Sequence, residues 1–351
     1  MAIHGKTGWS VMGTGTIATE QMVAGIRAQG HTPLWVVSRR KMDAAHFAQD
    51  LDIPQWTTNL SEALGDPKVE FTYVSARLRR RAHYITAAAK ARKNVLCDGP
   101  ISENSKVAAE LVRLCDSAGI VLAVHQPFRA SAIHQTMRRL ILDGDIGKVQ
   151  SILLTREGPY KPAAKRRKDD LDNEGDIYLD MSVDDIDLAR FLTGGEPREV
   201  SAICTVADGR PNQISYSFQL DDGSLFHAFE SFAIADLEST VVVAGDRGTL
   251  IAHGTLNGKA SGTLMRRHAA KNELVPVRDG DSHVAAVEDF VSAGERRLTW
   301  LARGSDNVAA LRAAEALAKA ASKRRTATVQ GGQPTRGLLK RDQSAQDAAG
   351  Q

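Results

Sequence analysis

Short apolar runs separated by amphipathic stretches fill the first third of the chain. Trp9–Met12, Trp35–Val37, Phe71–Ser75, Val95–Cys97 and Val121–Val124 read as strands. Between them the apolar spacing turns helical, through Met22 and Ile26, Met42–Leu51, His83–Ala91 and Lys106–Ala118. Strands alternating with helices in this way predict an α/β fold built on a doubly wound parallel sheet, with its ligand at the carboxyl ends of the strands. From Val149 onward the alternation shortens to period two, in Val149–Arg156, Ile214–Leu220, Leu225–Phe232 and Thr240–Ala244, with Asp221-Asp222-Gly223 as a hairpin signal. A second unit with a largely antiparallel sheet follows from that change of period. A further helix is expected over Asn307–Ser322, and the polar tail 331–351 is expected to be disordered.

The stretch Gly8–Gln21, GWSVMGTGTIATEQ, carries the first chemical signal. A strand breaks into Gly13-Thr14-Gly15-Thr16-Ile17-Ala18 and a helix begins. In such a turn Gly13 makes the bend, Gly15 lets a pyrophosphate approach the backbone, and small Ala18 allows close packing of helix on strand. The helix N-terminus, with its unpaired N–H groups and dipole, then favours the phosphates. At the end of the second strand an acidic residue would hold an adenosine ribose diol, but the chain reads Ser38-Arg39-Arg40-Lys41. Arginine there accommodates a 2′-phosphate and a hydroxyl can bond it, so NADP is expected in preference to NAD.

Composition narrows the class without adding a site. Hydrophobic residues at 42% and charged residues at 25% are ordinary for a globular protein, and no apolar run is long enough to span a membrane. A net charge of +3, from 45 basic and 42 acidic residues, gives no reason to expect nucleic acid. The basic runs Arg77–Arg81 and Lys161–Lys168 lack interleaved aromatics for base stacking. Cys97, Cys115 and Cys204 show no metal-ligand spacing, no HExxH or Cys/His cluster is present, and no secretory signal opens the chain. The expectation is a cytoplasmic protein with a small-molecule substrate and no metal.

The GTGTIA turn, Val95-Leu96-Cys97-Asp98-Gly99-Pro100, the segment Gly175–Asp187 (GDIYLDMSVDDID), Arg129 within HQPFR, Asp143–Val149, Gly245–Leu250 and the helix Asn307–Ser322 occur in an order and spacing that together are specific. They resemble the glucose-fructose oxidoreductase and inositol dehydrogenase family, Gfo/Idh/MocA. The resemblance implies a dinucleotide-binding Rossmann domain over 1–127 and a substrate-binding and oligomerisation domain over 128–330, with a large, mostly antiparallel open sheet. It also implies a homodimer or homotetramer through that sheet. Asp98 and Pro100 stand where the family contacts cofactor, while Arg129, Tyr160 and Tyr178 fall in segments that orient substrate.

Two departures from the family pattern fall on chemistry. Asp98-Gly99-Pro100 replaces the family's Glu-Lys-Pro, so the lysine that exchanges a proton with the reacting hydroxyl is a glycine. The second signature, roughly Asp-x-Gly-x-His-x-x-Asp, reads Asp180 to Asp187 with Asp184 at the histidine position. Asp180, Asp184 and Asp187 share one helical face, and three carboxylates on one stripe repel unless some point into solvent or a cation or a raised pKa relieves them. A carboxylate, Asp180 or Asp184, is therefore expected to handle the substrate proton, with Asp187 structural. Tyr160, Lys161, Tyr178 and His125 are the other groups available for the lost lysine. An oxidoreductase acting on a sugar, polyol, dihydrodiol or imine follows; the alternative is a catalytically silent NADP- or ligand-binding sensor.

Overall fold

The computed structural model describes residues 7–14, 17–158, 176–256, 262–278, 280–293, 299–323 and 327–328. Six parallel strands form the body of the first sheet: β1 (Gly8–Met12), β2 (Thr32–Val37), β3 (Gln55–Thr57), β4 (Val69–Val74), β5 (Asn94–Asp98) and β6 (Leu122–His125). Their order is β3-β2-β1-β4-β5-β6, and each neighbouring pair is parallel. The connecting helices are α1 (Ile17–Ala28), α2 (Lys41–Asp50), α3 (Leu60–Gly65), α4 (Leu78–Lys90) and α5 (Ser105–Ala118). This is the doubly wound arrangement that the sequence pattern predicts. Strand order reverses between β1 and β4, and there a crevice opens at the carboxyl ends. The apolar pattern locates five of the six strands. It misses β3 because that strand is three residues long and exposes two of them, leaving no apolar run to read.

The second sheet follows α6 (Pro127–Ala130) and α7 (Ala132–Leu142). After β7 (Val149–Glu157), a π-helical turn (Tyr178–Ser182) runs into α8 (Val183–Thr193). Then come β8 (Pro197–Ala207), β9 (Arg210–Leu220), β10 (Leu225–Ser231), β11 (Thr240–Gly245), β12 (Gly248–His253), β13 (Thr263–His268) and β14 (Lys271–Leu274). The chain ends with α9 (Ser282–Ser292), β15 (Ala302–Arg303), α10 (Gly304–Lys323) and β16 (Ala327–Thr328). The nine strands lie in the order β14-β13-β12-β11-β7-β10-β9-β8-β16. All pairs are antiparallel except β7 with β10. The Asp221-Asp222-Gly223 turn joins β9 to β10 as expected: Gly223 sits at φ 86°, and Asp222 Oδ1 accepts from the N–H and hydroxyl of Ser224 at 2.9 and 2.6 Å.

The segment 128–330, read from sequence as one unit, is shared between the two sheets. Helix α9 packs on α1, and β15 adds to β6 as an antiparallel edge strand. The reason is visible in the core. Trp9 of β1, Phe71 of β4 and Phe290 of α9 pack in tilted and edge-on contacts with ring centroids 5.1–5.6 Å apart, so one face of the first sheet is closed by a helix from the far end of the chain. Buried Asp289 of α9 then holds the following segment, accepting from the backbone of Thr299, Trp300 and Leu301 and from the Thr299 hydroxyl.

The opposite face of the first sheet carries Met12, Val37, Val74, Cys97 and Val124, and its apolar core runs without a break into the inner face of the second sheet, through Ile152, Leu154, Phe218, Phe226 and Val243. Helix α10 spans the junction, touching α5, α8 and β8. Its buried side chains are mostly alanine, which lets backbones on several sides approach closely. The tail 331–351 lies outside the described residues.

Candidate active site

The crevice at the carboxyl ends of β1 and β4 is fitted for a dinucleotide by its backbone. Gly13, directly after β1, has φ 115°, and a Cβ there would stand 2.6 Å from the Ser75 carbonyl oxygen. Only glycine meets both demands. Its N–H donates to the Val37 carbonyl oxygen at 3.0 Å, which ties the turn to β2. Thr14 Oγ1 donates to Ser38 Oγ at 3.3 Å, joining the first turn to the end of β2. The turn delivers the N-terminus of α1 to the crevice; Gly15 and Thr16 lie outside the described residues, as do the side chains of Ile17 and Ala18. Beyond β2, Arg40 pairs with Asp43 at 3.2 Å, and Lys41 lies 5.7 Å from the Trp56 ring centroid. Arg39 is exposed and has no ion-pair partner among the described residues.

Asp98 closes β5 and is fully engaged with the protein. Tyr73 donates to Oδ1 at 2.7 Å and Ser75 to Oδ2 at 2.6 Å, with His125 Nδ1 3.8 Å away. Burial pushes this carboxyl up, but the His125 contact, the Arg81 charge and the Ser75 hydroxyl outweigh it and hold the pKa below the ordinary value. Arg81 also donates to the carbonyl oxygens of Asp98 and Pro100, at 2.9 and 2.7 Å, and so fixes the cis Gly99-Pro100 turn from outside. The His125 ring lies 5.1 Å from that of His283 of α9, and its Nε2 has no partner among the described residues.

Arg129 and Tyr178, expected at the substrate, are committed elsewhere. The Arg129 guanidinium is buried and donates to both oxygens of Asp187, at 2.6 and 2.7 Å. A fork held on both prongs by a carboxylate leaves little for a ligand. Arg190 supports the same pair, lying 3.8 Å from Asp187 and donating to both oxygens of Glu196 at 2.9 and 2.6 Å. Asp306 at the start of α10 sits 3.5 Å from both arginines. Tyr178 is buried in the second unit beside Cys204, and burial raises its phenol well above the ordinary range. Tyr160, with Lys161–Lys168, lies outside the described residues.

The three aspartates on one helical stripe separate by environment. Asp180, in the π-helical turn, is exposed, whereas Asp187 is sealed against Arg129. Asp184 lies between these extremes, 15% exposed, with Arg156 Nη1 4.0 Å from its carboxylate. Burial lifts its pKa to about 7; Arg156 pulls it back, while Asp185, Asp187 and Asp180 add to the rise. Solvent at Asp180, an ion pair at Asp187 and a raised pKa at Asp184 thus each answer the repulsion that the spacing predicted.

Beneath Asp184 lies a cluster that the sequence reading missed. Asp185 accepts from Arg156 at 2.9 Å. Glu230 is completely buried, accepts from Ser182 at 2.6 Å and from the Tyr216 hydroxyl, and stands beside Arg156 in the β7–β10 register. Burial drives the pKa of both carboxyls upward, and their mutual repulsion adds to the rise at Glu230. A signal existed: Arg156 follows Ile152 and Leu154, and Glu230 follows Phe226 and Ala228, in the inward phase of their strands. Charges in that phase mark a buried network. Among the described residues no cluster of three or more His, Cys, Asp or Glu is arranged to hold a metal ion.

Comparison with known proteins decides the family. Residues 7–126 match the oxidoreductase family with an NAD-binding Rossmann fold, and residues 134–257 match the GFO/IDH/MocA C-terminal domain. The chain belongs to the GFO/IDH/MocA oxidoreductase family. It is 28% identical to the 1,5-anhydro-D-fructose reductase of Ensifer adhaerens over 92% of this chain and 99% of that protein. It is 22% identical to D-xylose 1-dehydrogenase (NADP(+)) 2 of Haloferax volcanii over 89% of this chain and 97% of that one. The fold matches the crystal structure of aldose-aldose oxidoreductase from Caulobacter crescentus complexed with glycerol, with a TM-score of 0.82 at 19% identity, covering 92% of this chain and all of that one. The family fixes the broad chemistry as oxidoreduction with a nicotinamide cofactor.

Within this family member, the buried ion pair below the site is open to direct measurement. Asp187→Leu is expected to lower the unfolding free energy by about 3–5 kcal/mol in denaturant titration, because it strands Arg129 without a counter-ion. Arg129→Met combined with Asp187→Leu is expected to cost less than Asp187→Leu alone. Strictly additive losses would show that the pair is not coupled.

Proposed function

We propose that this protein transfers hydride between NADP and a small polyhydroxylated or cyclic substrate (a sugar, polyol, dihydrodiol or imine), with Asp184 as the group that takes or returns the substrate proton. The observation that carries this reading is the environment of Asp184. A carboxyl with a pKa of about 7, partly open to solvent, is available in both protonation states at neutral pH, as a general acid–base requires. When bound, the nicotinamide supplies the hydride acceptor or donor. Arg156 favours the ionised form of Asp184, while Asp180, one turn earlier and exposed, raises its pKa and stands at the rim as the second carboxylate. Substrates with hydroxyl or amine character suit such a site better than carboxylates or phosphates, which the aspartates would repel. The two relatives compared above are named for sugar-type substrates, which supports the same class.

The cofactor preference rests on Ser38, Arg39 and Arg40. A buried hydroxyl followed by two exposed guanidinium groups at the end of β2 suits a 2′-phosphate. We also assign the outer face of the second sheet to a second copy of the chain. Leu153, Val242, Ile251 and Met265 are neighbours across β7, β11, β12 and β13 and form a cross-strand apolar row opposite the core face. Ile203 and Leu225 are also exposed, on β8 and β10, outside that row. The three cysteines, all unpaired, suit a reducing cytoplasm.

Asp184→Asn is expected to lower kcat by about 10²- to 10⁴-fold on any substrate the native protein turns over, with NADPH affinity unchanged. In the oxidation direction the native rate should rise with pH around 7, as the carboxylate forms. Stability gives an independent readout. The folded pKa lies above the ordinary 3.8, so the contribution of Asp184 is complete below about pH 4 and lost as pH rises through 7. Native protein should therefore lose stability relative to Asp184→Asn across that window. Unchanged turnover in the variant would remove Asp184 from the mechanism, whereas no turnover of sugars, polyols, dihydrodiols and imines by native protein that binds NADPH would return the chain to a ligand-binding role.

Arg39→Ala is expected to weaken NADPH binding about tenfold while leaving NADH unaffected in fluorescence titrations; equal effects on the two would remove the NADP preference. Leu153→Glu with Ile251→Glu should shift the native oligomer to a monomer in sedimentation. A native protein that already sediments as a monomer would dispose of the sheet-face assignment.

A further inference from the structure

At the carboxyl end of β6 the chain leaves the first sheet through Gln126, extended at φ −97° and ψ 115°, and enters α6 at Pro127. A residue ahead of proline is confined to such a conformation, so the backbone at Gln126 is fixed by its neighbour. The side chain is only 2% exposed, and neither its Oε1 nor its Nε2 has a hydrogen-bond partner among the described residues. A buried carboxamide with both ends unpaired is costly and uncommon in folded proteins.

Its position explains what the amide is near. Gly99 lies beside it on the neighbouring strand end, and a Cβ built on Gly99 would meet three Gln126 atoms first: Oε1 at 2.6, Cδ at 2.8 and Nε2 at 2.9 Å. The carboxamide therefore occupies the space from which any side chain at position 99 would begin. Alternation along β5 and β6 sets the direction. Cys97 and Val124 lie in the core continuous with the second unit, and Gly99 and Gln126 continue their phase. Asp98 and His125 take the other phase, toward His283 of α9. Gln126 thus belongs to the side of the sheet that faces the second unit, where α6 meets α8 through the Arg129–Asp187 pair. On the far side of the same turn Asn307 accepts from the Ile101 N–H at 3.0 Å and keeps its own Nδ2 unpartnered.

We infer that Gln126 is a substrate-orienting residue, its carboxamide donating through Nε2 and accepting through Oε1 at two neighbouring oxygens of a vicinal diol or hydroxyketone in the crevice. A carboxamide offers one donor and one acceptor side by side, which matches adjacent oxygens and gives no advantage to a single isolated hydroxyl. It does not exchange protons at neutral pH, so it complements Asp184 and does not duplicate it. This role rests on the oxidoreductase reading above. Glycine at position 99 is the condition for it, because a larger residue there would displace the amide.

The test uses the full chain with three probes, D-xylose with NADP, myo-inositol with NAD and 1,5-anhydro-D-fructose with NADPH. Gln126→Met keeps the bulk and removes the polar atoms. It is expected to raise the Tm of the cofactor-free protein, because an unpaired buried amide is gone, and to lower kcat/KM by about 10- to 100-fold, chiefly through KM. Gly99→Ala should produce a similar loss in the native background by pushing the carboxamide aside, and almost none in a Gln126→Ala background. A lowered Tm for Gln126→Met, full activity in that variant, or additive losses from Gly99→Ala and Gln126→Ala would each overturn the role of Gln126 while leaving the oxidoreductase reading in place. Native protein that binds NADPH but is inactive on all three probes would overturn the diol-orienting role, while the oxidoreductase reading would still be decided by the wider panel above.

Discussion

The buried pairing of Arg129 with Asp187 is the interaction on which the geometry of the site depends. Arg129 belongs to α6, the first element after the parallel sheet, and Asp187 to α8, which carries the aspartate stripe. Two charge-assisted bonds of 2.6 and 2.7 Å between those helices set the carboxyl ends of β5 and β6 against the helix bearing Asp184. Arg190 and Asp306 extend the pairing to α10, so three helices converge on one buried cluster of charge. Such a cluster tolerates little displacement, because any shift strands an ion away from water. The site inherits that rigidity.

Electrostatics then divides the aspartates by depth. Asp187 accepts both charge-assisted bonds of Arg129 with Arg190 close by, Asp180 is exposed, and Asp184 lies between the two. Arg156 lies nearer to Asp185, at 2.9 Å, than to Asp184, at 4.0 Å, and its ring-stacked position 4.6 Å from the centre of Phe128 keeps it there. Asp185 beneath takes the close contact with Arg156. What remains for Asp184 is partial compensation of a large burial cost, and a pKa of about 7 is the result. Under the proposed function, the supply of cation around Asp184 is what would make a proton-handling group of an ordinary carboxyl.

Closure of the first sheet comes from the other end of the chain. Phe290 of α9 completes the aromatic contact of Trp9 and Phe71, and His283 at the start of the same helix meets His125 at the sheet edge. The dinucleotide crevice and the C-terminal helices therefore form one packed body, with α10 as the strut between the sheets. Its alanine-rich surface is the reason that it fits among α5, α8 and β8 at once.

By itself the sequence determined five of the six parallel strands with most of their helices, four strands of the second sheet and the last helix, since strand and helix periods are local properties of hydrophobic spacing; β3, β8, β12, β13, β14 and α9 were not legible in it. The Gly13 turn, the period-two strands, the Asp221-Asp222-Gly223 hairpin and the common face of Asp180, Asp184 and Asp187 were all legible there. So was the structural part of Asp187. Only the tertiary structure decided which charges pair. Arg129 looks like a ligand contact until Asp187, 58 residues later, is seen to take both its prongs. Tyr178 looks like a proton donor until β8 buries it beside Cys204. Gln126 carries no sequence signal, because what distinguishes it is the missing side chain of Gly99 on an adjacent strand. The pKa of a side chain and the partner of a buried polar atom depend on which distant residues arrive beside it, and long-range packing alone settles that.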